Sequence, residues 1–364
     1  MTITAPPDVR VDRPVENLRS GQLARWVPWT LLGAALVAML GVFLVIAGAG
    51  GGELNIPGWI ITGALLYLVT IYITSSIVEG SRKATDRLIT GIVTGAFLIA
   101  MVPLVSVAYT VISNGVARFD PLFFTSSMRN VVGDGGGALH AIIGTVLITG
   151  AAAIISIPIG LMTSVYLVEY GAGKRLARAI TFFVDVMTGI PSIVAGLFAY
   201  ALFAIFLGPG VRLGIMGAIA LAVLMIPVVV RSSEEMLRLV PNELREAAFA
   251  LGVPKWLTIL KVVLPTALAG ITTGVMLSIS RVIGETAPLL ITAGFTDSMN
   301  YNLFDGRMQT LPVYTYTQYA NQGIPPELYT DRAWAAALTL IVIVMVLNLV
   351  ARLIAKVFSP KTGR

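Results

Sequence analysis

The sequence lacks most of the side chains that metalloenzymes and redox enzymes use. It contains no cysteine, which excludes disulfides, thiolate metal sites and cysteine nucleophiles. It contains a single histidine, His140, which alone cannot supply a histidine-based metal cluster. No serine and histidine, paired aspartates or metal-ligand set lies at helical spacing. We therefore expect neither a metal site nor catalytic residues in this chain.

Charge is also scarce, and apolar residues dominate. Only 12% of the 364 residues are charged, whereas an average soluble domain carries about 25%. Most apolar stretches run about 20 residues or more, the length that crosses a bilayer. The pattern predicts an all-α, polytopic membrane protein. Its eight predicted spans are residues 27–48, 57–78, 88–112, 140–168, 179–206, 214–231, 265–291 and 333–356.

The distribution of Lys and Arg predicts the orientation of these spans. Nineteen of the 25 basic residues fall in the segments on one side and only five in the loops on the other. Basic loops face the cytoplasm in bacterial membrane proteins. We therefore expect both termini in the cytoplasm of a bacterial plasma membrane. The scatter of positive charge over separate segments disfavours nucleic-acid binding.

One long loop, residues 232–262, is too polar to span. Pro241 suits the first turn of a helix, and Gly252 suits a left-handed cap at its end. We predict a short helix over residues 241–251 that lies across the inner membrane face. Its centre, Glu246, Ala247 and Ala248, offers small side chains to which a partner surface can come close. An ordinary amphipathic loop helix is an equally good interpretation of the residues alone.

Two charged residues, Arg281 and Glu285, lie inside the seventh predicted span. A charge at mid-membrane costs about 2.5–3.5 kcal/mol, so such residues mark function or pairing. At a spacing of four they would share a helix face and pair. The alternatives are a structural pair and a pathway-lining arginine whose fork of donors suits an oxyanion. Arg231, at the end of span six, is either a pathway residue or an inner anchor.

The segment GIPSIVAG, residues 189–196, interrupts the fifth span. Pro191 frees a backbone carbonyl, and Gly189 and Ser192 flank it. The segment predicts at least a kink. Discontinuous membrane helices also form binding sites, because their free backbone groups can hold a ligand.

Four segments together resemble the permease subunits of bacterial phosphate-specific ABC importers. They are GIPSIVAG at 189–196, PVVVRSSEEML at 227–237, the loop with Glu246-Ala247-Ala248 and Gly252, and RVIGETAPLL at 281–290. GETAPLL and the run QTLPV at 309–313 are more similar to the A-type than to the C-type subunit. The resemblance covers residues 88–358, the six-helix core of a type I importer. Residues 27–87 would add two N-terminal helices, with residues 1–26 and 359–364 as cytoplasmic tails.

The resemblance implies a specific assembly. An A-type and a C-type permease form the pore, an ATPase dimer docks on the coupling loops, and an extracytoplasmic phosphate-binding protein delivers substrate. ATP and Mg²⁺ would be bound by the ATPase, since Gly173-Lys174 lacks the spacing of a nucleotide loop and this chain implies no cofactor of its own. By motif position, Arg281, Glu285 and Arg231 match pathway residues. Glu246, Ala247, Ala248 and Gly252 match the coupling loop.

Other interpretations of the sequence remain. A permease for sulfate or molybdate would carry a similar coupling loop. An ion-coupled secondary transporter would be expected to show inverted repeats and midplane acids, and it would leave the polar loop unexplained. A membrane scaffold would not need the charges inside span seven.

Overall fold

The computed structural model describes residues 21–50 and 53–358, and this part of the chain contains helices and loops but no strand. A 3₁₀ turn (Val116–Arg118) extends α3, and π-helical turns follow α5 (Tyr166–Tyr170) and α10 (Ile259–Val263). The α-helices, in chain order, are α1 (Val27–Gly50), α2 (Ile56–Val78), α3 (Ser81–Gly115), α4 (Pro121–Thr125), α5 (Leu139–Val165), α6 (Arg175–Thr188), α7 (Ser192–Leu207), α8 (Gly214–Arg238), α9 (Asn242–Ala250), α10 (Lys255–Thr258), α11 (Leu264–Val282), α12 (Ala287–Thr292), α13 (Leu311–Ala320) and α14 (Pro326–Phe358).

The predicted all-α membrane fold is confirmed. Seven helical segments are long and apolar enough to cross a bilayer, and the bent pair α6–α7 gives an eighth if it counts as one span. Several predicted spans have different bounds in the structure, and spans three and eight each begin seven residues earlier than predicted, at Ser81 and Pro326. Span six was placed at 214–231, but α8 continues to Arg238. Span seven was placed at 265–291, but α11 stops at Val282 and a separate short helix follows.

The chain divides into two compact units, Met1–Val107 and Ala108–Arg364. In the first unit, α1 and α2 pack against each other through Gly63, where a β-carbon would lie 2.7 Å from a methyl of Leu36. The indole of Trp59 donates to the Leu36 carbonyl at 2.8 Å. Close approach at a glycine is the usual way for membrane helices to pack.

Glu79, just beyond α2, closes this unit. Its carboxylate accepts from Arg87 at 2.6 Å, from the Ser75 hydroxyl at 2.7 Å and from the Leu23 backbone N–H at 2.9 Å. The Arg87 hydrogen bond, with those from Leu23 and Ser75, lowers the pKa of Glu79 from 4.5 to about 2. The carboxylate therefore stays ionised at neutral pH and holds the segment before α1 against the end of α2.

The core of the second unit lies between α5, α8, α11 and α12. Its centre contains Ile148, Leu221, Met225, Val282 and Leu289, each at most 1% exposed. A second cluster joins α4, α13 and α14 around Phe123, Leu311, Tyr314 and Ala335. Helices α5, α8 and α11 thus form the scaffold from which the other segments are positioned.

Gly144 of α5 lets the chain segment before α13 come close. A β-carbon there would collide with the Gln309 carbonyl oxygen, whereas one on Gly150 of the same helix would meet nothing within 4 Å. The backbone N–H of Leu311 also donates to the Thr145 hydroxyl at 2.8 Å. This contact ties the outer segment to the scaffold.

We expect Gly144→Ala to destabilise the protein by about 1–3 kcal/mol, because an added methyl group overpacks the contact with Gln309. Gly150→Ala is the matched control in the same helix, and it should leave stability unchanged or raise it by up to about 1 kcal/mol. Thermal unfolding of the purified protein, followed by tryptophan fluorescence, measures both. Equal melting temperatures for the two variants would contradict this account of the packing.

Candidate functional site

The polar loop forms a short helix between two spans, as predicted. Helix α9 ends in a left-handed cap at Gly252, whose φ is +75°. The N–H of Gly252 donates to the Phe249 carbonyl at 2.9 Å, and the N–H of Val253 donates to the Ala248 carbonyl at 3.1 Å. These two bonds make a complete Schellman motif. Glycine is needed at this cap because other residues rarely adopt positive φ.

The exposed face of α9 differs in one position from the prediction. Glu246 and Ala247 are exposed, but Ala248 is only 7% exposed and packs towards the protein. The prediction that both alanines are presented to a partner is therefore wrong for Ala248. Its small size instead lets α9 lie close to the body of the protein. Large apolar side chains on the exposed surface are Leu244, Phe249 and Leu251.

Arg245 fixes α9 in place, and the sequence analysis missed it. Its guanidinium pairs with Glu169 at 2.9 Å and donates to the carbonyls of Leu237 and Val240 at the end of α8, at 3.0 and 2.6 Å. The side chains are only 13% and 6% exposed. The arginine satisfies carbonyls that a helix end leaves free. The signal in the sequence was Glu169, a lone acid beside a basic loop.

A second bond ties α10 to the same turn. The Lys255 ammonium at the start of α10 donates to the Glu169 backbone carbonyl and lies 4.9 Å from the centre of the Tyr170 ring. Glu169 and Tyr170 belong to the π-helical turn that continues α5. Helices α9 and α10 are thus bound at two points to the end of one scaffold helix. We call Arg245, Glu169 and Lys255 the anchor cluster.

Arg231 lies in a nearby network of four charges on α6 and α8. It pairs with Asp185 and, at 3.0 Å, with Glu234, which also binds Arg238 at 2.7 Å. The charges of the two arginines and the two carboxylates cancel. The Glu234 side chain is only 7% exposed. The Asp185 contact joins α6 to α8. It favours an anchoring role for Arg231, while its pathway role stays a prediction.

Arg281 and Glu285 do not form the predicted pair. Helix α11 ends at Val282, and Gly284 and Glu285 lie in the turn that leads to α12. The two side chains therefore do not share a helix face. Among the described residues Arg281 makes no ion pair, and its side chain is exposed. Arg281 is therefore an arginine without an ion pair in the described part of the chain, one residue before the end of a membrane helix.

The break at Gly189, Pro191 and Ser192 is larger than a kink. Helices α6 and α7 meet there at an angle of 110°. Just beyond the break, Gly196 packs on Pro288 of α12. A β-carbon added at Gly196 would lie only 2.6 Å from the Pro288 Cα. The two helices that follow breaks, α7 and α12, are therefore direct neighbours.

His140 lies at the start of α5 and is buried, with only 2% of the residue exposed. Its Nε2 lies 3.2 Å from the Gln309 Oε1, and Tyr314 packs edge-on at 5.5 Å. The segment before α13 covers the ring, a contact that no local pattern in the sequence indicated.

We expect Arg245→Gln to loosen α9, because it breaks a buried pair and leaves the Glu169 carboxylate and two helix-end carbonyls without their donor. Hydrogen exchange of the amides in residues 242–253 should become faster. Arg238→Gln is the control, since Arg238 is 66% exposed and its ion pair does not touch α9. Unchanged exchange in Arg245→Gln, or equal acceleration in both variants, would show that the anchor cluster does not hold this helix.

Comparison with known proteins agrees with this architecture. The family model "Binding-protein-dependent transport system inner membrane component" matches residues 156–364. Phosphate transport system permease protein PstA 1 of Mycobacterium tuberculosis (strain CDC 1551 / Oshkosh) is 47% identical over 75% of this chain and 89% of that protein. PstA of Mycobacterium leprae (strain TN) is 48% identical over 74% of this chain and 88% of that protein. PstA of Haemophilus influenzae is 39% identical over 75% and 94%.

Solved ABC transporters share the fold at low sequence identity. A chain of a bacterial alginate ABC transporter superposes with a TM-score of 0.54 at 14% identity, covering 77% of this chain and 97% of that one. A chain of the MetNI methionine ABC transporter, in an inward-facing conformation, superposes with a TM-score of 0.50 at 19% identity. The match covers 61% of this chain and 95% of that one. The chain therefore belongs to the binding-protein-dependent transport inner membrane components and, among them, to the family of the PstA phosphate transport system permease proteins.

Proposed function

We propose that this permease subunit carries inorganic phosphate across the bacterial plasma membrane and forms half of the translocation pathway. The observation that carries the proposal is the identity of 47–48% over about three quarters of the chain to mycobacterial phosphate permease proteins. The family match over residues 156–364 includes both broken helices. Phosphate near neutral pH carries a charge between −1 and −2. Its path therefore needs positive potential but no site that binds phosphate too tightly to release it.

Arg281 is the residue that fits this need best. Its guanidinium has no carboxylate partner among the described residues, so its charge is available to an anion. Glu285 lies four residues further along the chain, beyond the end of α11. Its negative charge lowers the local positive potential, which favours release. Arg231 already balances Asp185 and Glu234. We assign it a weaker part, at the inner end of the pathway.

The neighbouring breaks support a pathway in this region. Gly189, Pro191 and Ser192 interrupt one helix pair, and residues 283–286 interrupt another. Helices α7 and α12 meet through Gly196 and Pro288. Irregular backbone at membrane depth occurs where it lines a cavity or is buried in protein. Two such breaks side by side are the arrangement in which transporters bind substrates at discontinuous helices.

The coupling loop provides the link to the energy source. We propose that the exposed face of α9, with Glu246 and Ala247, docks on a separate ATPase dimer that binds ATP and Mg²⁺. The anchor cluster would pass its movement to α5. A C-type permease would complete the pore, and an extracytoplasmic binding protein would deliver phosphate. We assign α9 and both termini to the cytoplasm, which agrees with the distribution of basic residues.

Uptake of labelled phosphate at micromolar concentration tests the substrate. We expect cells that lack the chain to lose this uptake and to regain it when the chain is restored. Excess sulfate or molybdate should not compete. Unchanged phosphate uptake with loss of sulfate or molybdate transport would instead assign the chain to another oxyanion. Loss of no anion would refute the proposal.

Arg281→Gln should lower phosphate uptake by about tenfold or more, since a charge-assisted hydrogen bond contributes about 1.5–3 kcal/mol. Arg281→Lys, which keeps the charge, should retain more transport than the glutamine variant. Arg129→Gln, at an exposed outer arginine, is the control for a general loss of charge. The amount of each variant in the membrane is measured by immunoblot. Wild-type uptake by Arg281→Gln at equal amounts would exclude Arg281 from the pathway.

A further inference from the structure

Two arginines from distant parts of the chain are held at one place. Arg212 directly precedes Leu213, whose N–H donates to the Thr292 carbonyl at 3.2 Å. Arg307 directly precedes Met308, whose N–H donates to the Ala293 carbonyl at 3.1 Å. Both arginines are therefore fixed by backbone bonds to consecutive residues at the end of α12.

The two side chains converge over Gly294. A β-carbon on Gly294 would lie 3.0 Å from the Arg212 Cδ and 3.5 Å from the Arg307 Cδ. The Arg212 Nη1 is 3.6 Å from the same point, and the Arg307 guanidinium lies 6.0 Å from the centre of the Phe295 ring. Gly294 has φ +73°, so its backbone conformation and the space above it both favour glycine.

Neither arginine is neutralised within the part of the chain that the structure describes. The acids Asp297 and Asp305 lie in the same loop but pair with neither. Two other arginines have partners: Arg118 pairs with Asp120, and Arg332 of α14 donates to the Gly133 carbonyl at 2.7 Å. Arg129, in contrast, is a single exposed arginine without an ion pair among the described residues. Two like charges held together without a counter-charge repel each other. A bound anion would remove that repulsion.

The pair lies at the opposite end of α8 from the anchor cluster. Arg212 stands just before the first residue of α8, and Arg245 binds carbonyls at its last turn. With 25 residues the helix is about 37 Å long, enough to cross the bilayer. If α9 faces the ATPase, the arginine pair faces the side from which substrate arrives.

We propose that Arg212 and Arg307 bind a phosphate oxyanion at this outer face, before it enters the pathway that contains Arg281. Two arginine side chains that meet at one glycine can direct planar guanidinium groups to a small tetrahedral anion with several acceptor oxygens. Arg212 is only partly exposed, which favours a small ligand over the flat surface of a protein. The inference rests on the proposed function, because it assigns phosphate as the anion.

Arginine modification tests the site directly. The intact importer in membranes is treated with phenylglyoxal, with and without inorganic phosphate, and the modified arginines are quantified by mass spectrometry. We expect phosphate to slow modification of Arg212 and Arg307 several-fold and to leave the exposed Arg129 unaffected. Arg212→Gln, with its partner intact, should abolish the protection of Arg307, because one guanidinium would hold the anion too weakly.

Two results would overturn the proposal. One is equal modification of Arg212 and Arg307 with and without phosphate. The other is protection only by the phosphate-free binding protein, which would assign the pair to a protein contact. Phosphate uptake is measured in the same membranes. Intact uptake without protection would refute the outer site and leave the proposed function standing, whereas absent uptake in the wild-type importer would refute the proposed function itself.

Discussion

The fold depends on one constraint, which is that backbone N–H and C=O groups inside a bilayer must find partners within the protein. Long helices meet this constraint by themselves, and their apolar side chains face lipid. Breaks in helices do not meet it alone. The two breaks in the second unit, at residues 189–191 and 283–286, are therefore informative, because the helices that follow them pack on each other through Gly196 and Pro288. The irregular backbone is covered by protein on that side.

The arginines of the second unit fall into two groups, those with a carboxylate partner and those without one. Where arginines hold structure together, they are matched: Arg245 by Glu169 and helix-end carbonyls, and Arg231 by Asp185 and Glu234. Arg281, Arg212 and Arg307 have no carboxylate partner among the described residues. Matched arginines fix how α6, α8, α9 and the turn after α5 are joined. In the proposed function, the unmatched arginines provide positive potential for an anion, which a transporter must attract without holding it tightly.

Local patterns predicted the local features well. The helix over 241–251, its left-handed cap at Gly252 and the interruption at Pro191 each depend on residues within a few positions of one another, so turn and capping chemistry suffices. Predictions that depended on where a helix ends or on what packs against it were wrong in two cases. Arg281 and Glu285 were expected on one helix face, but the helix ends between them. Ala248 was expected to face a partner, but packing against the protein buries it.

The sequence by itself determined that the chain is a multi-pass helical membrane protein with a short polar helix between two spans. Hydrophobic length and capping residues are properties of contiguous sequence, so no tertiary information was needed. Only the tertiary structure decided the 110° angle at residues 189–191, the burial of His140 under Gln309, and the pairing of Arg245 with Glu169. These features join residues that are far apart in the chain or depend on how the helices pack. The physical reason is that side-chain partners are chosen by distance in space, which hydropathy along the chain does not encode.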